Sequence, residues 1–225
     1  MTLNSYDFRQ YKLQQVKIFK EILYTHEKHQ FDEQALPSYT NPNPLMRYLF
    51  WERIKIVINS ISHLDKVDTC LDFGCGLGTM VPYLLQKTQS LFVLEPDTSL
   101  LKELGKKEGW KNIAYVTNLD QLKDQKVKLD LILALDVLEH VDDLTDVLDQ
   151  FSQLLSDNGK IIITGPTENF IYKIGRKLAN YSGEYHERNI YDIKIEVEKR
   201  FKIISQRTLF RILPFFEIFI VEKMK

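Results

Sequence analysis

The sequence predicts an α/β fold: a doubly wound sheet of seven strands, with helices ahead of it and an insertion after strand five. Three observations carry this reading. Residues 67–85 (VDTCLDFGCGLGTMVPYLL) pass from a β-branched, apolar strand through three alternating glycines into an apolar helical segment. Downstream, short apolar strands alternate with segments of helical period, as a sheet covered on both faces requires. The run 129–135 (LDLILAL) reads as a strand buried on both faces.

Taken in order, residues 5–30 form an amphipathic helix, with Leu13, Val16, Phe19, Ile22 and Leu23 at helical spacing. Residues 36–44 (LPSYTNPNP) form a proline-rich connector, because each proline removes a donor and biases its predecessor away from helix. A second helix is expected over 45–62, with Leu49, Ile54, Val57, Ile58 and Ile61 inward. After the glycine unit come a strand at 91–94, a helix at 98–107 and strands at 113–116 and 129–135. A helix at 144–155 follows, stopped by Asp157-Asn158-Gly159 with glycine as the C-terminal cap. Then come a strand at 160–164, a looser segment at 165–190, a helix at 189–199, and strands at 201–209 and 215–221. The expected division is 1–44, helix and connector acting as a cap, and 45–225, one domain with a lid insertion at 165–190.

The 225 residues suffice for such a domain with additions. Thirty basic residues against 31 acidic give a net charge of −1, so no general attraction to nucleic acid or anionic membrane is expected. Lys102, Lys106, Lys107, Lys111, Lys123, Lys126 and Lys128 are assigned to solvated faces. Cys70 and Cys75 share one strand–loop segment and cannot staple distant parts of the chain, which favours a reducing, cytoplasmic setting. Residues 1–10 lack a signal-peptide core. The apolar stretch 212–221 is about half the length of a membrane helix, so no span is expected.

The glycine loop lets backbone N–H groups approach a ligand closely. A phosphate-gripping loop needs Gly-Lys-Ser/Thr after its spacer, and none follows; a dinucleotide fingerprint needs glycine where Thr79 stands. Glu95 closes the second strand roughly 20 residues beyond the loop, the spacing at which a carboxylate accepts from both ribose hydroxyls.

What remains, Asp72-x-Gly74-x-Gly76-x-Gly78, resembles motif I of the class I S-adenosylmethionine (SAM) methyltransferases. The run Leu133-Ala134-Leu135-Asp136-Val137-Leu138-Glu139-His140-Val141 is similar to the segment after strand four in the ubiquinone-biosynthesis O-methyltransferases and their small-molecule relatives. Together with Glu95 and the strand order, the resemblance covers roughly residue 43 onward. It implies a Rossmann-like sheet, mostly parallel with an antiparallel last strand. It also implies SAM as cofactor and S-adenosylhomocysteine (SAH) as product. Asp72, Gly74, Cys75, Gly76 and Gly78 would then meet the methionine end, Glu95 and Pro96 the ribose. Asn118 and Leu119 would meet the adenine, with Leu135 and Asp136 closing the site. A small-molecule acceptor, methylated at oxygen, would lie among Tyr39, Arg47, Phe170 and Tyr185.

Removing the acceptor's proton calls for a positioned base, and His140 and His186 are the candidates, with Glu139 beside them. Asp136, Glu139 and His140, at i, i+3 and i+4, would alternatively share a helical face and, with His186, hold a divalent ion. The run resembles the Glu-x-x-Glu-His segment with which small-RNA terminal 2′-O-methyltransferases hold such a metal, although Asp136 stands here in place of the first Glu. Two other readings stay open here: a non-catalytic SAM- or SAH-binding partner protein, and a nicotinamide oxidoreductase.

Overall fold

The computed structural model describes residues 5–25, 39–64, 67–167, 188–209 and 215–224. The chain divides into two compact units, Met1–Lys66 and Val67–Lys225.

In the first unit, helix α1 (Ser5–Thr25) is followed by α2 (Pro44–Ser62). Helix α2 starts where Asn43 accepts from the Leu45 and Met46 amides and Pro44 opens the first turn. Its expected inward residues are all buried, and Phe50, Trp51 and Arg53 join them. In α1 the stripe is rotated from the expected one. Leu13 is 55% exposed, whereas Phe8, Tyr11, Ile18, Phe19 and Ile22 are buried. The aromatic residues at the start of α1 set that face, with Phe8 edge-on to Trp51 at 6.4 Å.

The second unit holds β1 (Thr69–Phe73), α3 (Val81–Leu84), β2 (Ser90–Leu94), α4 (Ser99–Glu108), β3 (Ile113–Val116) and α5 (Asp120–Asp124). It continues with β4 (Leu129–Leu135), a 3-10 turn (Leu138–His140), α6 (Leu144–Leu154), β5 (Leu155–Pro166), α7 (Ile190–Glu198), β6 (Phe201–Leu209) and β7 (Phe216–Lys223). The sheet order is β3-β2-β1-β4-β5-β7-β6. Strands β1 to β5 pair in parallel, and β7 runs antiparallel to both neighbours, as expected.

Side chains alternate across the sheet. Leu71, Phe73, Ile132, Ala134, Ile161 and Ile163 lie in one core with Leu148 and Phe151 of α6 and Ile193 and Val197 of α7. Asp130 interrupts the apolar run of β4 for a structural reason. Its carboxylate accepts from the Asp68 and Thr69 amides at 3.1 Å each and from the Ser156 hydroxyl at 3.1 Å, tying the entrances of β1, β4 and β5.

Gly159 does not cap the helix. Helix α6 ends at Leu154, Leu155 is already extended, and β5 runs on through Gly159. What glycine provides there is proximity: a Cβ would sit 2.8 Å from the Leu129 carbonyl oxygen and from the Leu155 side chain. Among the described residues no helix is long and apolar enough to cross a membrane.

Candidate functional site

Strand β1 lies between β2 and β4, where the winding of the sheet reverses, and ligands of such sheets sit beyond the carboxyl ends of the strands at that point. The glycine loop leaves β1 there. Gly74, Gly76 and Gly78 have φ of 69°, 53° and 73°, a left-handed backbone that residues with a Cβ avoid. The Leu94 carbonyl accepts from the Gly74 and Cys75 amides at 2.8 and 3.2 Å, docking the loop on the end of β2. The next residue, Glu95, turns its carboxylate to the loop and accepts from the Gly76 amide at 2.9 Å. The two features that the sequence places 19 residues apart are therefore in contact.

Asp72 is buried on β1 below this loop. Its carboxyl is pushed up to about 7, first by burial and then by the charge of Glu95. Burial likewise raises the thiols of Cys70 and Cys75, with Asp72 adding to both. Because its folded-state value lies above the ordinary one, Asp72 holds its proton where the unfolded chain has lost it. Its contribution to stability is therefore full below about pH 4 and is lost as pH rises toward about 7. Asp72→Asn should remove this slope, which amounts to at most about 1.4 kcal/mol per pH unit in that window. Denaturant unfolding of both proteins across the window measures it; parallel curves would refute the buried-acid assignment.

The remaining strand ends carry the other expected residues. Pro96 is exposed, and Asp97 beside it accepts from the Ser99 amide at 2.8 Å; hydrogen bonds from the Ser99 side chain first and this amide second hold its carboxyl below the usual range. Asn118 is exposed and accepts from the Gln121 amide at 3.2 Å, just ahead of α5. Leu119 is buried, in one apolar cluster with Leu94, Val116 and Leu122. Leu135 is half-buried and pairs with Thr164.

Asp136, Glu139 and His140 do not form the shared helical face expected of them. Asp136 precedes the turn with φ of 52°, Glu139 is buried, and His140 is exposed at the end of three 3-10 residues. Asp136 thus lies outside the helical turn, and Glu139 and His140 are neighbours within it that point different ways. Among the described residues no group of three His, Cys, Asp or Glu side chains is arranged to hold a metal ion.

Tyr39 is buried in the first unit, its ring 5.2 Å from Trp51 and its hydroxyl accepting from Arg53 at 2.6 Å. Arg47 donates to the Asn41 and Pro42 carbonyls, bracing the connector. Both side chains thus have structural partners. Phe170, Tyr185 and His186 lie outside the described residues.

Two contacts escaped the sequence reading. Arg188 donates to the carbonyls of Val141 and Asp142, anchoring the chain before α7 to the loop after His140. Thr164, on β5, donates to Asp136 at 2.7 Å. Arg188 lies in the segment 183–191, which resembles the entrance to the last helix in the small-molecule methyltransferases, but that likeness does not name its partners; a Thr inside a strand carries no motif at all.

A glycine loop crossing to a carboxylate at the next strand's end, at the switch point of a doubly wound sheet, defines a Rossmann-like nucleoside-binding protein. A methyltransferase-domain family model matches residues 46–213, and the chain belongs to the class I SAM-dependent methyltransferase family. It is 31% identical over 128 residues to the ubiquinone biosynthesis O-methyltransferase of Pelagibacter ubique, covering 55% of this chain and 53% of that protein. It is 29% identical over 107 residues to the polyketide synthase ThaQ of Burkholderia thailandensis, covering 45% of this chain and 5% of that protein. The chain thus spans about half the length of one curated relative and a small part of the other.

Among solved structures, N-methyltransferase NodS of Bradyrhizobium japonicum, in complex with SAH, superposes with a TM-score of 0.62. The match is 15% identical and covers 84% of this chain and 92% of NodS. Magnesium protoporphyrin IX methyltransferase of Synechocystis, with bound SAH, gives 0.62 at 15% identity, covering 91% and 99%. At such identities these two show the shared fold.

Proposed function

We propose that this chain is a SAM-dependent methyltransferase that methylates a small-molecule acceptor at oxygen. The observation that supports it most is the Glu95 carboxylate docked on the Gly76 amide, since it joins the methionine-binding loop and the ribose acceptor in one crevice. The donor set suits the cofactor: left-handed glycines keep side chains from covering the loop, and the Glu95 carboxylate turns toward it. Asp72 and the loop of Gly74, Cys75, Gly76 and Gly78 would hold the methionine end, Glu95 the ribose hydroxyls, and Asn118 the adenine edge.

SAM supplies a methyl group on a positively charged sulfur. The chain's own residues align the acceptor oxygen with that carbon and hold the two together. The acceptor hydroxyl's proton must leave as the new carbon–oxygen bond forms and the carbon–sulfur bond breaks. His140, on the loop that Arg188 anchors, is the assigned base. His186 is the second candidate.

The test is transfer of label from methyl-labelled SAM to panels of phenols, sugar hydroxyls and amines, beside thermal stabilisation by SAM, SAH and NAD. SAM or SAH at about 100 times its dissociation constant should add roughly 2.7 kcal/mol. Label on hydroxyl acceptors supports the proposal. Label on amines alone overturns the choice of atom. SAM binding without turnover on any acceptor turns the reading to a non-catalytic SAM-binding protein, and stabilisation by NAD alone overturns it altogether.

A further inference from the structure

Asp136 occupies an unusual place. Three non-glycine residues among those described have left-handed φ: Asn112, Lys126 and Asp136. Asn112 and Lys126 are exposed and lie ahead of β3 and β4, where turns accept such backbone. Asp136 instead ends the central strand β4, half-buried, at the carboxyl edge where the crevice opens. A non-glycine residue in this region is strained, and such strain persists only where the surroundings impose it.

One residue imposes it twice. The Thr164 carbonyl accepts from the Asp136 amide at 3.1 Å, and the Thr164 hydroxyl donates to Asp136 Oδ1 at 2.7 Å. Thr164 is fully buried, and its strand is paired on both sides, with β4 through Leu135 and with β7 through Ile218. Its hydroxyl thus projects from a rigid support. Beyond Asp136, Val137 packs against Gly74 so closely that a Cβ there would lie 2.2 Å from it. The turn that Thr164 holds is therefore pressed against the glycine loop.

We propose that Thr164 is a positioning residue. It aims the Asp136 carboxylate at the cationic sulfur end of the cofactor, so that Asp136 favours SAM, with its sulfonium, over SAH, whose sulfur is neutral. The inference rests on the SAM-binding reading above. It explains why an acidic residue, and not glycine, ends β4 in a left-handed conformation. A carboxylate held by one oxygen on a fixed hydroxyl keeps its charge in one place.

The experiment measures dissociation constants for SAM and SAH by calorimetry on the full chain. Asp136→Asn keeps an oxygen for Thr164 and tolerates left-handed backbone, but removes the charge. It should weaken SAM by about 10-fold while changing SAH by no more than about 3-fold. Thr164→Val keeps the shape and removes the donor, and should cut the SAM-over-SAH preference by about 5-fold. Thr164→Ser should restore it to within about 2-fold. In the Asp136→Asn background Thr164→Val should have no further effect on the ratio.

A purely structural Thr164 would lower thermal stability and leave the SAM-to-SAH ratio of Thr164→Val like that of wild type, which overturns the proposal whatever Asp136→Asn shows. Should Thr164→Val fail to fold, Thr164→Ala and the Asp136→Asn ratio decide in its place. Wild-type protein that binds neither ligand sinks the SAM-binding reading itself. Wild type that binds both, with an Asp136→Asn ratio like its own, sinks only this inference.

Discussion

Replacing Glu95 with Ala is expected to weaken SAM binding by about 30- to 1,000-fold, the equivalent of roughly 2–4 kcal/mol. Two losses add to give this. The Gly76 amide loses the carboxylate that receives it at 2.9 Å, so the loop gives up its tie to the end of β2. With Glu95 as the proposed ribose partner, the ribose hydroxyls would also lose a charged acceptor, and charge-assisted bonds are the stronger kind. Glu95→Gln keeps an acceptor without the charge and should fall between wild type and Ala, at about 10-fold.

A second consequence follows from the electrostatics. The charge of Glu95 is the second cause of the raised Asp72 carboxyl, so Glu95→Ala should let Asp72 ionise at lower pH. The window in which Asp72 erodes stability then narrows from its upper end. Calorimetry with SAM, alongside unfolding curves against pH, measures both. A Glu95→Ala protein that binds SAM as wild type does would remove the ribose assignment.

Much of this was legible in the sequence because local rules and tertiary demands agree. Strands β3 and β4 begin and end at the residues expected, since apolar runs bounded by turn residues have one place to go in a covered sheet. The glycine loop was legible because left-handed backbone calls for glycine, and Glu95 because its spacing matches a strand and a crossover. The failures share a cause as well. Gly159 looks like a helix cap by its neighbours Asp157 and Asn158, yet its role is set by Leu129 from another strand. The segment 136–140 has helical spacing, but Thr164 bends its start and the turn closes after three residues. Leu13 fits the stripe of α1 until Phe8 and Tyr11 rotate it. In each case a partner distant in sequence overrode a local pattern.

That kind of partner also sets the cost of the most damaging single methyl group expected in this chain. Gly74→Ala should destabilise the protein by roughly 3 kcal/mol or more, from two separable sources. The backbone at φ of 69° is unfavourable for any residue with a Cβ, at about 1–2 kcal/mol. The new methyl would also lie 2.2 Å from Val137 Cγ2 and 2.7 Å from Val137 Cβ, inside a sheet edge with little room to yield. Gly78 has the same sign of φ, but a methyl there would meet the tips of Leu101 and Val81 at 2.9 Å, which turn aside more cheaply.

Val137→Ala removes both offending γ-carbons and leaves the β-carbon. In that background Gly74→Ala should cost less by about 1 kcal/mol or more, while the backbone part remains. Thermal and denaturant unfolding of the four proteins closes the cycle. SAM binding should follow the loop rather than the overall stability: Gly74→Ala abolishes it, and the double variant regains part of it. Simple additivity of the two substitutions would mean that the glycine loop and the end of β4 are not in contact, and the crevice assigned to the sulfur end would have to be placed elsewhere.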